Sequence, residues 1–239
     1  MRYIYGPVRS RRLGLSLGIT LTPHKVCNFD CVYCQLGKTT IKANQRSSYL
    51  DIREILAELQ GFFKTLDSKT SPIDYISLSG FGEPMLNVDI ARVISEVKKL
   101  TSVPLVLITN ASLFSDAKVR HDVLGVDIIV PSLDAVTEDV FEVIDRPVTG
   151  MKIENIVSGL IALRDEFKGK IYLEIMLLKG MNDGIGYAYK FKEAIDKIKP
   201  DKIQLNTPVR STTEIWVKPP DKERLNQIKD ILGPKCEII

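Results

Sequence analysis

At 239 residues, with 44% hydrophobic and 26% charged residues, the chain has the composition of a globular protein with a sizeable core, and no apolar run approaches the ~20 residues of a membrane span. Its formal net charge of +3 is unevenly held, because residues 1–46 carry eight basic side chains (Arg2, Arg9, Arg11, Arg12, Lys25, Lys38, Lys42, Arg46) against one acid, Asp30. Such an end is either a solvated face or the part that meets something anionic, such as a cofactor carboxylate, an acidic protein surface or RNA.

In chain order, a basic segment (1–14) precedes LSLGITLTP (15–23), the first β-rich run. Five more follow: IDYISLSG (73–80), VPLVLITN (103–110), VDIIVPSL (126–133), KIYLEIMLL (170–178) and KIQLNTPV (202–209). Between and after them lie 3.6-period segments, ILAELQGFF (55–63), IARVISEVKKL (90–100), AKVRHDVL (117–124), IENIVSGLIALRDEF (153–167), YKFKEAIDKIK (189–199) and KERLNQIKDIL (222–232). Six βα units predict parallel strands with right-handed helical crossovers. The expected organisation is a single domain over 1–239, with a six-strand core at 15–210 and a C-terminal helix and tail at 211–239.

Strand parity separates a doubly wound sheet from a barrel. Ile171, Leu173, Ile175 and Leu177 share one face of their strand, and Tyr172, Glu174 and Met176 share the other. Ile203 and Leu205 oppose Gln204 and Asn206; Ile76 and Leu78 oppose Tyr75, Ser77 and Ser79. A sheet covered by helices on both sides would be apolar on both faces. One polar face instead predicts a partial (β/α)6 TIM-like barrel, an α/β fold with helices outside and a wet, ligand-bearing interior. Glu174, a carboxylate on that interior face, needs a partner or a ligand there.

Three of the four cysteines fall in CNFDCVYC, at Cys27, Cys31 and Cys34. The opening MRYIYGPVRSRRLG has no apolar signal core, so the chain is expected in the cytoplasm, where cysteines are more often free, metal-bound or catalytic than disulfide-bonded. A redox pair would use CVYC alone and leave Cys27 without a role. Structural zinc needs a fourth ligand, and His24 offers a Cys3His set, the alternative in which the protein is a non-catalytic binding module. An iron-sulfur cluster held by three thiolates leaves one iron open. Spacing alone does not choose among them.

The pattern CxxxCxxC with Tyr33 before its last cysteine, followed by SGFGEP (79–84) at the end of the second strand, resembles the signature of the radical S-adenosylmethionine (radical SAM) superfamily. YGPVRSRRLGLSLGI, TNASL, PSLDA, FEVIDRP and IQLNTPVR resemble small single-cluster iron-sulfur oxidoreductases grouped with wybutosine-synthesis enzymes, and more distantly glycyl-radical-activating enzymes. The resemblance implies a 4Fe-4S cluster on Cys27, Cys31 and Cys34, with S-adenosylmethionine on the fourth iron, cleaved to a 5′-deoxyadenosyl radical that takes hydrogen from a substrate. It implies no membrane partner, a one-electron donor of flavodoxin or ferredoxin type, and RNA, a protein or a bulky metabolite as substrate. With only Cys236 to spare, one cluster is expected rather than two, and Cys236 is read as structural or incidental.

Roles for other residues follow from the motifs and parity. Gly80, Gly82 and Glu83 are expected to present strand-end backbone to the cofactor's methionine amino group, and Tyr33 to pack its ring on the adenine. Asn110 is expected either at the same rim or as an amide capping its turn. Ser132 and Asp134 are candidates for ribose hydroxyls, unless Asp134 caps the helix through DAVTEDVF. Glu174 and Asn206 are candidate cofactor or substrate contacts. No residue stands out as catalytic in its own right, His121 included.

Overall fold

The computed structural model describes residues 1–65 and 73–239. Eight strands form one sheet in the order β1 (Ile4–Ser10), β2 (Gly14–Thr20), β5 (Tyr75–Ser79), β6 (Leu105–Thr109), β7 (Ile128–Pro131), β8 (Lys170–Met176), β9 (Lys202–Asn206) and β10 (Cys236–Ile238). A separate two-residue pair joins β3 (Val26–Cys27) to β4 (Ile41–Lys42). The six strands from β2 to β9 run parallel, as the alternating pattern requires. β1 is antiparallel to β2, and β10 extends the parallel set beyond β9. Neither outer strand was apparent from the apolar pattern. β1 is largely half-buried or exposed, and β10 is three residues long.

Parity divides the apolar side chains into two groups. The outward residues Leu17, Ile19, Ile76, Leu78, Leu173 and Leu205 are buried against the helices, contributing roughly 1.5–3 kcal/mol each on full burial. Those helices are α1 (Ile52–Thr65), α2 (Ile90–Leu100), α3 (Ala117–Val123), α4 (Glu138–Ile144), α5 (Ile153–Glu166), α6 (Ile185–Ile198) and α7 (Lys222–Leu232). α2 is typical: Ile90, Val93, Ile94 and Val97 form its buried stripe, and Lys98 and Lys99 sit at the negative end of its dipole. Inside the curve of the sheet, Leu13, Val106, Ile128 and Val130 form a second cluster with Tyr75, Ile108 and Tyr172 packed against it.

This second cluster corrects the expectation of a repeatedly polar interior. β2, β5, β8 and β9 do carry polar inward residues, but β6 and β7 present apolar side chains inward at Val106, Ile108, Ile128 and Val130. Their inner side chains, Val106, Ile128 and Val130, fill this part of the barrel together with Leu13.

Among the described residues, the sheet does not close by strand pairing. Its two edges are instead tied by side chains: the β1–β2 turn sends Arg11 Nη2 to Asn206 Oδ1 at 2.8 Å and Arg11 Nη1 to the main-chain oxygen of Ile239 at 3.2 Å. Beside it, the Arg12 guanidinium forks onto Glu174, with Nη2 to Oε1 at 2.7 Å and Nε to Oε2. Glu174 is buried and faces the interior, as parity requires. We call this line of contacts the seam. Among the described residues, no helix is long and apolar enough to cross a membrane.

Candidate functional site

Cys27 ends β3, and the loop after it turns tightly, with Cys34 N donating to Cys31 O at 3.1 Å and Gly37 N to Cys34 O at 3.2 Å. The loop is held chiefly through its backbone. Asp30 N donates to Asp145 O at 3.0 Å, Val32 N to Ile144 O at 2.9 Å and Val148 N to Asn28 O at 2.9 Å, so the end of α4 forms its floor. Phe29 packs edge-on against Phe141 of α4 with ring centroids 5.4 Å apart. From the C-terminal side, Glu214 N donates to Val32 O at 3.0 Å, and Thr213 Oγ1 to Cys34 O at 3.1 Å.

The GFGEP turn is joined to the first cysteine directly. Gly82 forms a bridge with Val26, and Glu83 N donates to Val26 O at 3.0 Å. A Cβ on Gly82 would overlap the Val26 carbonyl oxygen, so only glycine permits this approach. Gly80 has φ +112°, and a Cβ there would stand 2.7 Å from the Thr20 side chain. Pro84 opens a single 3-10 turn, Pro84–Leu86, which the Glu83 carboxylate caps by accepting from Met85 N at 3.0 Å.

Glu83 is buried and also accepts from Thr109 Oγ1 at 2.6 Å and Asn110 N at 2.8 Å. Three donors favour its charged form, yet burial outweighs them and pushes its pKa up to about 7. Asn110 caps its turn and also lines the cavity at the strand-end rim. Its Oδ1 caps Ser112 N at 3.1 Å, while its Nδ2 donates to Asn28 Oδ1 at 2.7 Å and lies 3.7 Å from Cys27 Sγ.

One cavity of about 350 Å³ gathers the three cysteines with Tyr33, Gly80, Gly82, Glu83, Asn110, Ser132, Glu174 and Asn206. Asp134 is not on its wall. The Asp134 carboxylate sits behind, accepting from Met176 N at 2.7 Å and from the Tyr33 hydroxyl. This corrects two assignments. Asp134 has its side chain engaged away from the cavity, and it does not cap α4, which begins four residues later behind Thr137. Burial raises the Asp134 pKa to about 7 and that of Tyr33 well above the ordinary phenol value. Tyr33 reaches the cavity, with its hydroxyl anchored on Asp134.

Residues not singled out from sequence complete the surroundings. Asp145, buried at the end of α4, accepts from the Cys31 thiol at 3.5 Å. Its signal was FEVIDRP, noted only as a resembling segment. Asn28 and Ser112 close a buried network with Asn110 through Asn28 Nδ2 to Ser112 Oγ at 2.6 Å. Arg11 and Arg12 were visible only as part of a basic run.

The thiols bear on the alternatives. Burial pushes the Cys27 pKa up to about 12, and burial with the neighbouring Asp145 charge raises Cys31 well above the ordinary thiol value. A redox-active cysteine needs a stabilised thiolate, and these sites do the reverse. A single zinc needs four ligands within ~2.0–2.3 Å of one point. Among the described residues, no group of three or more His, Cys, Asp or Glu side chains is arranged to hold one metal ion, and His24 is exposed with its ring 5.6 Å from that of Phe81. An iron-sulfur cluster distributes its thiolates over separate irons, and the three cysteines on one cavity wall fit that group.

Comparison with known proteins agrees with the geometry. The family model described as the radical SAM superfamily matches residues 21–191. UPF0026 protein MJ1312 of Methanocaldococcus jannaschii is 34% identical over 98% of this chain and 72% of its own length. A protein of Brachyspira hyodysenteriae named GTPase Obg is 39% identical over 98% of this chain, which spans 34% of that protein. Among solved structures, a radical SAM methyltransferase from Sphaerobacter thermophilus superposes with a TM-score of 0.74 at 16% identity, over 94% of this chain and 65% of that one, a likeness of fold. The chain belongs to the radical SAM superfamily.

Proposed function

We propose that the protein is a radical SAM enzyme holding a 4Fe-4S cluster on Cys27, Cys31 and Cys34, with S-adenosylmethionine beside it in the 350 Å³ cavity. When bound, cluster and cofactor supply reductive cleavage to a 5′-deoxyadenosyl radical that removes a hydrogen atom from the substrate. The observation that carries the reading is the bridge between Val26 and Gly82, which brings the glycine-glutamate turn against the first of three cysteines on one cavity.

The chain's own residues position and shield. The loop floor from Ile144 to Val148 holds the cysteines in place through main-chain bonds that need no reorganisation when a ligand enters. The Gly80–Glu83 turn offers strand-end backbone to the cofactor's amino group, and the turn is braced by the Glu83 carboxylate, held by Met85 N, Thr109 Oγ1 and Asn110 N. Asn110 donates toward Cys27 sulfur, stabilising thiolate charge. The plug of Leu13, Val106, Ile128 and Val130 seals the barrel below and excludes water from that direction. The electron is supplied by a one-electron carrier of flavodoxin or ferredoxin type, and the substrate is RNA, a protein or a bulky metabolite.

Anaerobic reconstitution tests the reading. Expected are iron and sulfide near four per chain, a band near ~400 nm, and 5′-deoxyadenosine on adding dithionite and S-adenosylmethionine, lost in Cys31→Ala. Near-stoichiometric zinc without that band or product would return the chain to the binding-module reading.

A further inference from the structure

The seam brings charge into the cavity. Arg9, Arg11, Arg12 and Arg210 all line the space that holds the cysteines. Guanidinium groups stay ionised at any ordinary pH, so four around one cavity repel one another unless anions intervene. Two carboxylates share the wall, and both are engaged. Glu174 takes the Arg12 fork, and Glu83 is held by Thr109, Asn110 and Met85.

Among the described residues, the other arginines meet no side-chain carboxylate. Arg11 donates to Asn206 Oδ1 and the Ile239 main-chain oxygen, Arg210 Nη1 donates to Gln35 Oε1 at 2.7 Å, and Arg9 has no side-chain partner among the described residues. Burial and the neighbouring Arg12 and Arg210 charges lower the Arg11 pKa, which reports the same crowding. A 4Fe-4S core of charge 2+ on three thiolates would carry about one net negative charge, and the cofactor's carboxylate and sulfonium cancel, so Arg9, Arg11 and Arg210 remain in excess over the anions of cluster and cofactor.

We propose that Arg9, Arg11 and Arg210 form the substrate end of this site and select a phosphate-bearing substrate, whether a phosphorylated metabolite or a nucleic-acid backbone. A phosphoryl group presents several oxygens and more than one charge, so it accepts forks from separate arginines at once. The inference rests on the radical SAM reading and narrows its substrate.

The test is calorimetric titration of the reconstituted protein, saturated with S-adenosylmethionine, with three probes: inorganic pyrophosphate, a ten-nucleotide single-stranded RNA, and the tricarboxylate tricarballylate. Expected is saturable binding of a phosphate probe, with tricarballylate at least tenfold weaker. Arg9→Ala and Arg210→Ala should each weaken the phosphate probe about tenfold, with Arg210→Lys recovering part of the loss. Pyrophosphate binding indicates a metabolite, whereas RNA binding with pyrophosphate inert indicates a backbone whose affinity falls steeply with salt.

Both arginines are exposed, and circular dichroism melting shows whether the variants remain folded. Two outcomes overturn the proposal: neither phosphate probe binds more tightly than tricarballylate, or folded Arg9→Ala and Arg210→Ala bind as the unmodified protein does. Formation of 5′-deoxyadenosine in the same preparation is read separately. Its absence alongside arginine-dependent binding would sink the radical SAM reading and spare the phosphate site; the reverse would do the opposite.

Discussion

The two sides of the cavity are built by different means. At the cysteine end, the contacts that fix the loop are mostly main chain to main chain, from Val26 to Gly82 and Glu83, and from Asn28, Asp30 and Val32 to residues 144–148. At the seam, Arg11 and Arg12 reach across to Asn206 and Glu174, so the contacts are long side chains and formal charges. A backbone-built end is insensitive to salt, tolerates little added volume and is preorganised for a fixed cofactor. A charge-built end responds to salt and to single charge changes, which suits a group that must admit and release a substrate.

The strongest challenge to this contrast is Gly82→Ala. A methyl group there has no space beside the Val26 carbonyl. The expected loss is about 4 kcal/mol, a melting temperature lower by on the order of 10 °C, and failure to retain iron, checked by thermal melting and iron analysis. A variant that melts normally and keeps its iron would show that the turn is not tied to the cysteine loop as described.

Next comes pH. Glu83 has a folded pKa raised from 4.5 to about 7. The folded state therefore binds the proton more tightly than the unfolded state, so this group's contribution is full below about 4.5 and is lost as pH rises through about 7. Across that window the metal-free protein should lose up to about 3 kcal/mol on this account. Asp134, also raised to about 7, adds a slope of the same sign. Denaturant titrations at several pH values should therefore show a shallower decline in Glu83→Gln than in the unmodified protein, not a flat one.

At the seam, Glu174→Ala leaves Arg12 without its carboxylate. The Arg12 side chain is 27% exposed and that of Glu174 is 6% exposed, so water reaches one partner and moderates the cost to about 2 kcal/mol. The paired replacement of Arg12 by Met and Glu174 by Leu should recover to within about 1 kcal/mol of the unmodified protein, read by urea titration. The smallest effect marks the background. Lys99 and Glu96 pair at 2.8 Å on the exposed face of α2, with side chains 67% and 38% exposed. Removing Lys99 should change stability by less than about 0.5 kcal/mol.

Legibility from sequence follows the same division. CNFDCVYC and SGFGEP were readable through their resemblance to the radical SAM signature, while their spacing alone left zinc and redox readings open; the structure adds why glycine stands at 82, where a Cβ has no room. Parity in KIYLEIM placed Glu174 inside the barrel without any knowledge of its partner. The Arg12 to Glu174 contact spans 162 positions, and no local pattern announces it. Asp134 shows the opposite error. Its position ahead of a helix resembled a cap, while the folded chain turns it toward Met176 N and the Tyr33 hydroxyl.

By itself the sequence determined the alternation of strand and helix, the inward face of β8 and β9, and the residue types at the cysteine end, because periodicity and steric exclusion act over a few neighbouring residues. Tertiary structure alone decided that β6 and β7 plug the barrel, that Asp145 lies under Cys31, and that four arginines share a cavity with the cysteines. Those outcomes depend on segments far apart in the chain, and their positions are set by how the whole sheet curves and where its edges meet.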